Sequence, residues 1–225
     1  MNVDYALGRE KRRDFRYRLK RRTEEVLKAS GRYAPSPQAI VDLGTAEGKM
    51  LQDISRRYPS SLCLGLDTSF PLLSFGKKRH PDLHLLCADV QNLGFLRSEK
   101  FDLIVAAAVI EHLVFPQDML RESHRILKEG GVLIITTPHP GWEKIASALG
   151  SIKGEHHSVM APQDLVNLCR KENFRVLEHY GFMLSPVGLW GEKKIERFLA
   201  KIKFDRFLPN HLVVAQKKRE GEEEW

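Results

Sequence analysis

No run of about 18 apolar residues occurs in this sequence of 225 residues, which excludes a membrane-spanning helix. Met1-Asn2-Val3-Asp4 opens no apolar stretch, so a secretory leader is not expected. Cysteine is scarce. Cys63, Cys87 and Cys169 are odd in number, scattered and without a C-x-x-C pair. That pattern argues against a disulfide framework or a thiolate metal centre, and for small buried core residues. Internal repeats and low-complexity segments are also absent, and a cytoplasmic location is expected.

The charge is unevenly placed. Lys11, Arg12, Arg13, Arg16, Arg18, Lys20, Arg21 and Arg22, against Asp14, carry the whole formal net charge of +7. The remainder of the chain is neutral, so the high isoelectric point does not by itself indicate a nucleic-acid partner. Residues 1–35 therefore read as a basic helical arm. A partial apolar stripe (Tyr5, Leu7, Phe15, Leu19, Val26, Leu27) runs along it, and Ser30-Gly31 is a plausible stop. Three readings are open for the arm: a solvated helix across the domain edge, a cap over a pocket, or a basic contact with anionic lipid or an acidic substrate.

The chain is 42% apolar, enough for a proper core, and residues 36–216 carry that core in regular alternation. Strands are expected at 39–43, 62–67, 83–87, 101–106 and 132–136. Helices are expected between them, from about Glu47 to Arg57, from Ser69 to Lys78 with Pro71 in its first turn, and from Pro116 to Leu127, ended by Lys128-Glu129-Gly130-Gly131. A further helix is expected from Ser158 to Lys171 and a strand at 174–180. An insertion at 182–208 follows, in which Ile195, Phe198, Leu199 and Ile202 share a helical face; it could wall an apolar pocket or pack on a second subunit. The last strand is at 211–215, paired with 174–180 at a sheet edge, and residues 217–225 form a charged tail. Repeated β–α units with continuously apolar strands predict an α/β, doubly wound, mostly parallel sheet.

In such a sheet, ligands sit at the carboxyl ends of the strands. Strand one ends in Asp42-Leu43-Gly44-Thr45-Ala46-Glu47-Gly48, strand two in Asp67-Thr68, strand three in Asp89-Val90 and strand four in Ala106-Ala107-Ala108. Glycines at spacing four let a ligand approach the backbone. An acid at the tip of strand two can accept bonds from both ribose hydroxyls. A second acid at strand three can accept from an adenine amino group, with Val90 on the ring. The dinucleotide fingerprint fails, because Ala46 and Lys49 stand where its second and third glycines belong. The phosphate loop fails too, since Gly44 and Gly48 are too close and Met50 follows Lys49. What remains is a pocket for an adenosine that carries no phosphate.

At these positions the chain resembles the class I S-adenosylmethionine-dependent methyltransferases, in particular the type 11 group that includes the ubiquinone-biosynthesis O-methyltransferases. The matching stretches are Val41 to Gly48, Gly65-Leu66-Asp67, Cys87-Ala88-Asp89-Val90, Phe101 to Val105, Ile110-Glu111-His112-Leu113 and Leu127 to Leu133. Together they cover about residues 38 to 140 in the family's order. The resemblance implies a seven-stranded Rossmann-like sheet and S-adenosylmethionine as cofactor, with S-adenosylhomocysteine as product. It places Asp42, Gly44 and Gly48 at the methionine portion, Asp67 at the ribose, Asp89 and Val90 at the adenine, and Ala106 and Ala107 beside the methionine. Thr45 and Thr68, which adjoin Gly44 and Asp67, complete the expected cofactor-binding set. Ala46 departs from the family's middle glycine.

The methyl acceptor is less legible. The Asn/Asp-Pro-Pro-aromatic motif of common adenine and glutamine N-methyltransferases is replaced by Ala106-Ala107-Ala108-Val109, and no cysteine has a Pro-Cys context. A small, apolar or quinone-like acceptor is expected, bound by residues 1–35, 138–160 and 182–208. His139, His156 and His157 stand there and, with His112, are the candidate bases; each has an ordinary packing role as its alternative. His139, Glu155, His156 and His157 lack the tight spacing of a metal site. The other readings are an RNA- or protein-modifying methyltransferase docking through 11–22, and a catalytically inactive cofactor-binding protein.

Overall fold

The computed structural model describes residue 8, residues 11–142 and residues 160–219. Seven strands form one sheet: β1 (Ala39–Leu43), β2 (Leu62–Asp67), β3 (His84–Cys87), β4 (Phe101–Ala107), β5 (Leu127–Pro138), β6 (Phe174–Phe182) and β7 (Asn210–Lys217). Their spatial order is β3-β2-β1-β4-β5-β7-β6. β1 to β5 are parallel, and β7 runs antiparallel between β5 and β6. The doubly wound, mostly parallel sheet expected from the strand pattern is thus present. The late strands do form an antiparallel pair, with β6 rather than β7 at the edge.

Helices cover both faces: α1 (Arg13–Tyr33), α2 (Lys49–Arg57), α3 (Phe70–Arg79), α4 (Pro116–Ile126), α5 (Pro162–Lys171) and α6 (Glu192–Lys201). One core layer joins Val41, Leu43, Ile104, Leu133, Ile135 and Val213 to Met119 and Leu120 of α4 and to Leu165 and Val166 of α5. The other joins Ile40, Val105, Ile134 and Val214 to Val26 and Ala29 of α1 and to Leu51 and Ile54 of α2. β1, β4 and β5 face helices on both sides, which is why their sequences are continuously apolar.

Four details depart from the sequence pattern. α1 runs through Ser30-Gly31 to Tyr33, because Ser30 is buried with its hydroxyl bonded to Leu27 O and Tyr58 Oη; Pro35 disfavours helix just beyond. β5 begins at Leu127, where it pairs with Phe101, so Lys128 to Gly131 lie inside the strand. α5 begins at Pro162, while Ser158 falls outside the described residues. Cys63 and Cys169 are buried as expected, whereas Cys87 is exposed on the sheet's edge strand.

The basic segment 11–22 is built into this fold. Arg21 is 2% exposed and its guanidinium bonds Glu24 and Glu25 at 3.1 Å and Glu196 of α6 at 2.6 Å. Arg22 donates to Asn210 Oδ1, and Tyr17 Oη donates to Glu192. Glu196 in turn accepts the backbone N–H groups of Met183 and Leu184, and Glu192 those of Ser185 and Leu189. α6 therefore turns its carboxylates inward. Its apolar stripe of Ile195, Phe198 and Ile202 faces solvent.

Candidate functional site

The parallel register places Leu43 beside Leu66 and Ala106, so the tips of β1, β2 and β4 end in one row. Immediately after β1 the backbone enters the left-handed region three times in five residues, at Gly44 (φ +71°), Ala46 (φ +51°) and Gly48 (φ +78°). A Cβ on Gly44 would lie 2.3 Å from Val109 Cγ2, so both the conformation and the space require glycine. Ala46, where the related family carries glycine, takes the same region at a cost of about 1 kcal/mol.

The loop is tied to the tip of β2. Gly44 and Thr45 donate their N–H groups to Leu66 O at 2.8 and 2.9 Å. Ala46 N donates to Asp67 Oδ2 and Ser69 N to Asp67 Oδ1, both at 2.8 Å. Asp67 thus clasps the glycine loop and the start of α3 together. Ala88 N donates to Asp67 O at 3.0 Å, bringing in the tip of β3.

Asp42 is 2% exposed, and its Oδ2 has no hydrogen-bond partner among the described residues. Burial, offset in part by the Thr45 hydroxyl and reinforced by the Asp67 charge, pushes the Asp42 carboxyl up to about 7. A buried carboxyl with an unsatisfied oxygen is costly unless something pairs with it. A cationic ligand group would do so. Gly48 precedes α2 without a side-chain cap, and its own N–H donates to Thr45 O at 2.9 Å.

Of the other expected cofactor residues, Val90 and Ala106 are buried, Ala107 is half-buried, and Thr68 and Asp89 are exposed. Asp89 accepts Gln91 N at 2.9 Å, and Gln91 Oε1 accepts Phe115 N at 3.0 Å, joining the tip of β3 to the segment after β4. The residues that the family resemblance singles out are therefore gathered at the carboxyl end of the sheet, and the glycine loop, small residues and buried acid there fit an adenosine with a cationic amino-acid tail. A groove of about 720 Å³ lies elsewhere, between α1 and α2, lined in part by Lys20, Glu24, Gln52 and His80.

The candidate bases divide. His112 is exposed on a 3-10 turn at Ile110–His112, and His156 and His157 lie outside the described residues. His139 follows β5, and its Nδ1 accepts Gly141 N at 3.0 Å. The neutral ring then carries its proton on Nε2 and presents a donor, not a base. Its ring lies 5.3 Å from that of His211, which lies 5.4 Å from His179; His179 Nε2 and His211 Nδ1 are 3.2 Å apart. Burial lowers all three, His211 to about 3, with His179 and His139 adding to the effect there. His179 and His211 had no signal in the sequence, because only the β6–β7 pairing joins them. Among the described residues no group of histidine, cysteine and acid side chains could hold a metal.

A family model described as a methyltransferase domain matches residues 10–179. The malonyl-[acyl-carrier protein] O-methyltransferase of a Marinomonas species is 29% identical over 157 residues, 67% of this chain and 57% of that protein. The demethylmenaquinone methyltransferase of Thermotoga maritima is 32% identical over 100 residues, 44% of this chain and 43% of that protein. The chain thus spans about half the length of these relatives. The crystal structure of an S-adenosylmethionine-dependent methyltransferase from Mesorhizobium loti superposes with a TM-score of 0.60 at 22% identity, covering 80% of this chain and 90% of that one.

Proposed function

Because the chain belongs to the methyltransferase-domain family, we propose that it moves the methyl group of S-adenosylmethionine to a small, apolar acceptor. The observation that carries this reading is the clasp of Asp67 on the left-handed glycine loop beside a buried, unsatisfied Asp42. In the bound state Asp67 would still offer lone pairs to the ribose hydroxyls, and the glycine loop ending at Gly48 would lie along the amino-acid tail. Asp42 would face the ammonium, and Ala106 and Ala107 would leave room beside the tail. Asp89 and Val90 would take the adenine edge and face.

The cofactor supplies a methyl group already activated on a sulfonium, so the chain's task is to hold an acceptor atom in line with it. His139 Nε2–H would support that as a donor to an oxygen that bears charge. The aromatic and aliphatic side chains at the carboxyl ends of β5 and β6, among them Trp142 and Phe207, favour an apolar acceptor, and a quinol or phenol meets both requirements. Incubation with methyl-labelled S-adenosylmethionine and a panel of quinols, phenols and small carboxylic acids tests the reading. Label in an apolar acceptor is the expected result. Label found only in added RNA or protein would overturn it.

A further inference from the structure

We propose that the face built by residues 187–207 and the first turns of α1 seats the protein on an anionic lipid bilayer. α6 is turned the wrong way round for a soluble protein. A surface helix ordinarily buries its apolar stripe, yet here Glu192 and Glu196 are held inside by Tyr17 and Arg21. Phe198 is 61% exposed, and Ile195 and Ile202 stand beside it in solvent. Trp190 is 98% exposed at the tip of a loop bracketed by Gly188 and Gly191, both with positive φ. Phe204 and Phe207 continue the apolar surface beyond the helix, their rings 5.4 Å apart. Isoleucine and phenylalanine along one side of a basic helix, with an exposed tryptophan in the loop before it, are the composition of an interfacial segment.

The charges point to the same occupant. Between residues 191 and 207 the cations are Lys193, Lys194, Arg197, Lys201, Lys203 and Arg206. The acids are Glu192 and Glu196, which face inward, and Asp205, which accepts Gly181 N. Next to this lies a groove of about 480 Å³ in which Arg13, Arg16 and Lys20 face Val187, Leu189 and Trp190. Cations beside an apolar wedge match a phosphate headgroup above an acyl chain. A second copy would bring a like-charged face against this one, so self-association is disfavoured.

The position gives the contact a purpose. Trp142 Nε1 donates to Phe207 O at 2.7 Å and His139 N to Pro209 O at 2.8 Å, so the segment abuts the carboxyl end of β5. Docking would turn the acceptor side of the sheet's carboxyl end toward the lipid. The proposal itself stands on the surface and not on the methyltransferase reading, since vesicle binding needs neither cofactor nor acceptor.

Co-sedimentation with vesicles tests it. The full chain is expected to bind vesicles of equal parts phosphatidylcholine and phosphatidylglycerol, and not vesicles of phosphatidylcholine alone. The double variant Trp190→Ser/Phe198→Ser should partition at least roughly tenfold less, and Lys194→Glu/Arg197→Glu should lose the preference for anionic lipid. All four side chains are exposed, so unchanged thermal midpoints separate lost docking from unfolding. Binding that ignores the apolar double variant, or a vesicle-free dimer that the same variant dissociates, would overturn the proposal.

Discussion

Asp67 Oδ2 accepts the backbone N–H of Ala46 at 2.8 Å. This bond runs from the tip of β2 to the middle of the loop after β1, the position at which the chain lacks the family's glycine. It offsets the strain of a left-handed alanine, since a buried charged acceptor strengthens the bond. The other Asp67 oxygen holds Ser69 N. One carboxylate thus fixes two loops and keeps lone pairs for a ligand, so its binding and structural roles are served by the same geometry.

Gly44→Ala should destabilise the fold by about 2 kcal/mol or more, through the positive φ and the clash with Val109. Adding Val109→Ala should recover only part of this, because it relieves the clash and leaves the φ. Urea midpoints of the two variants measure both effects; equal stability of Gly44→Ala and the parent would contradict the geometry.

Asp42 predicts pH-linked binding. With its carboxyl pushed up to about 7, the free protein holds a proton there that a cationic ligand must displace. Affinity for S-adenosylmethionine should therefore fall as pH drops below about 7, by up to about tenfold per unit, with a proton released to buffer. Calorimetry in two buffers of different ionisation heat reads that proton. Asp42→Asn should abolish its release.

His211 predicts acid sensitivity of the fold itself. Its folded-state value, lowered to about 3 from 6.5, means the unfolded chain binds the proton first. This contribution is fully present above about 6.5 and is lost as pH falls toward 3, at no more than about 1.4 kcal/mol per unit. Asp42 acts oppositely, since its raised value makes the free fold lose stability as pH rises from about 4 to 7. The difference between parent and His211→Gln midpoints across pH isolates the histidine, and a parallel pair of curves would refute it.

The strands β1 to β5 and the loop residues were legible because each signal is local: continuous apolar runs, a glycine pair, an acid at each strand end. The orientation of α6 was not. Ile195, Phe198 and Ile202 mark a helical face in the sequence, but what holds it outward is Tyr17 and Arg21, far away in the chain. The His179–His211 contact depends on a β6–β7 register that shifts between Val176 and Glu178, and no period-two count along either strand reveals it. The start of β5 at Leu127 was hidden by a glycine pair that reads as a helix stop. Gly130, with φ +72°, sits instead within the strand.

Calorimetric titration of the parent and of Asp67→Ala with S-adenosylmethionine and S-adenosylhomocysteine tests the central claim most directly. Micromolar binding of both nucleosides is expected, weakened more than tenfold in Asp67→Ala, a loss of about 1.4 kcal/mol or more. A folded parent that binds neither, or an Asp67→Ala variant that binds as the parent does, would contradict the assignment of this end of the sheet as the cofactor site.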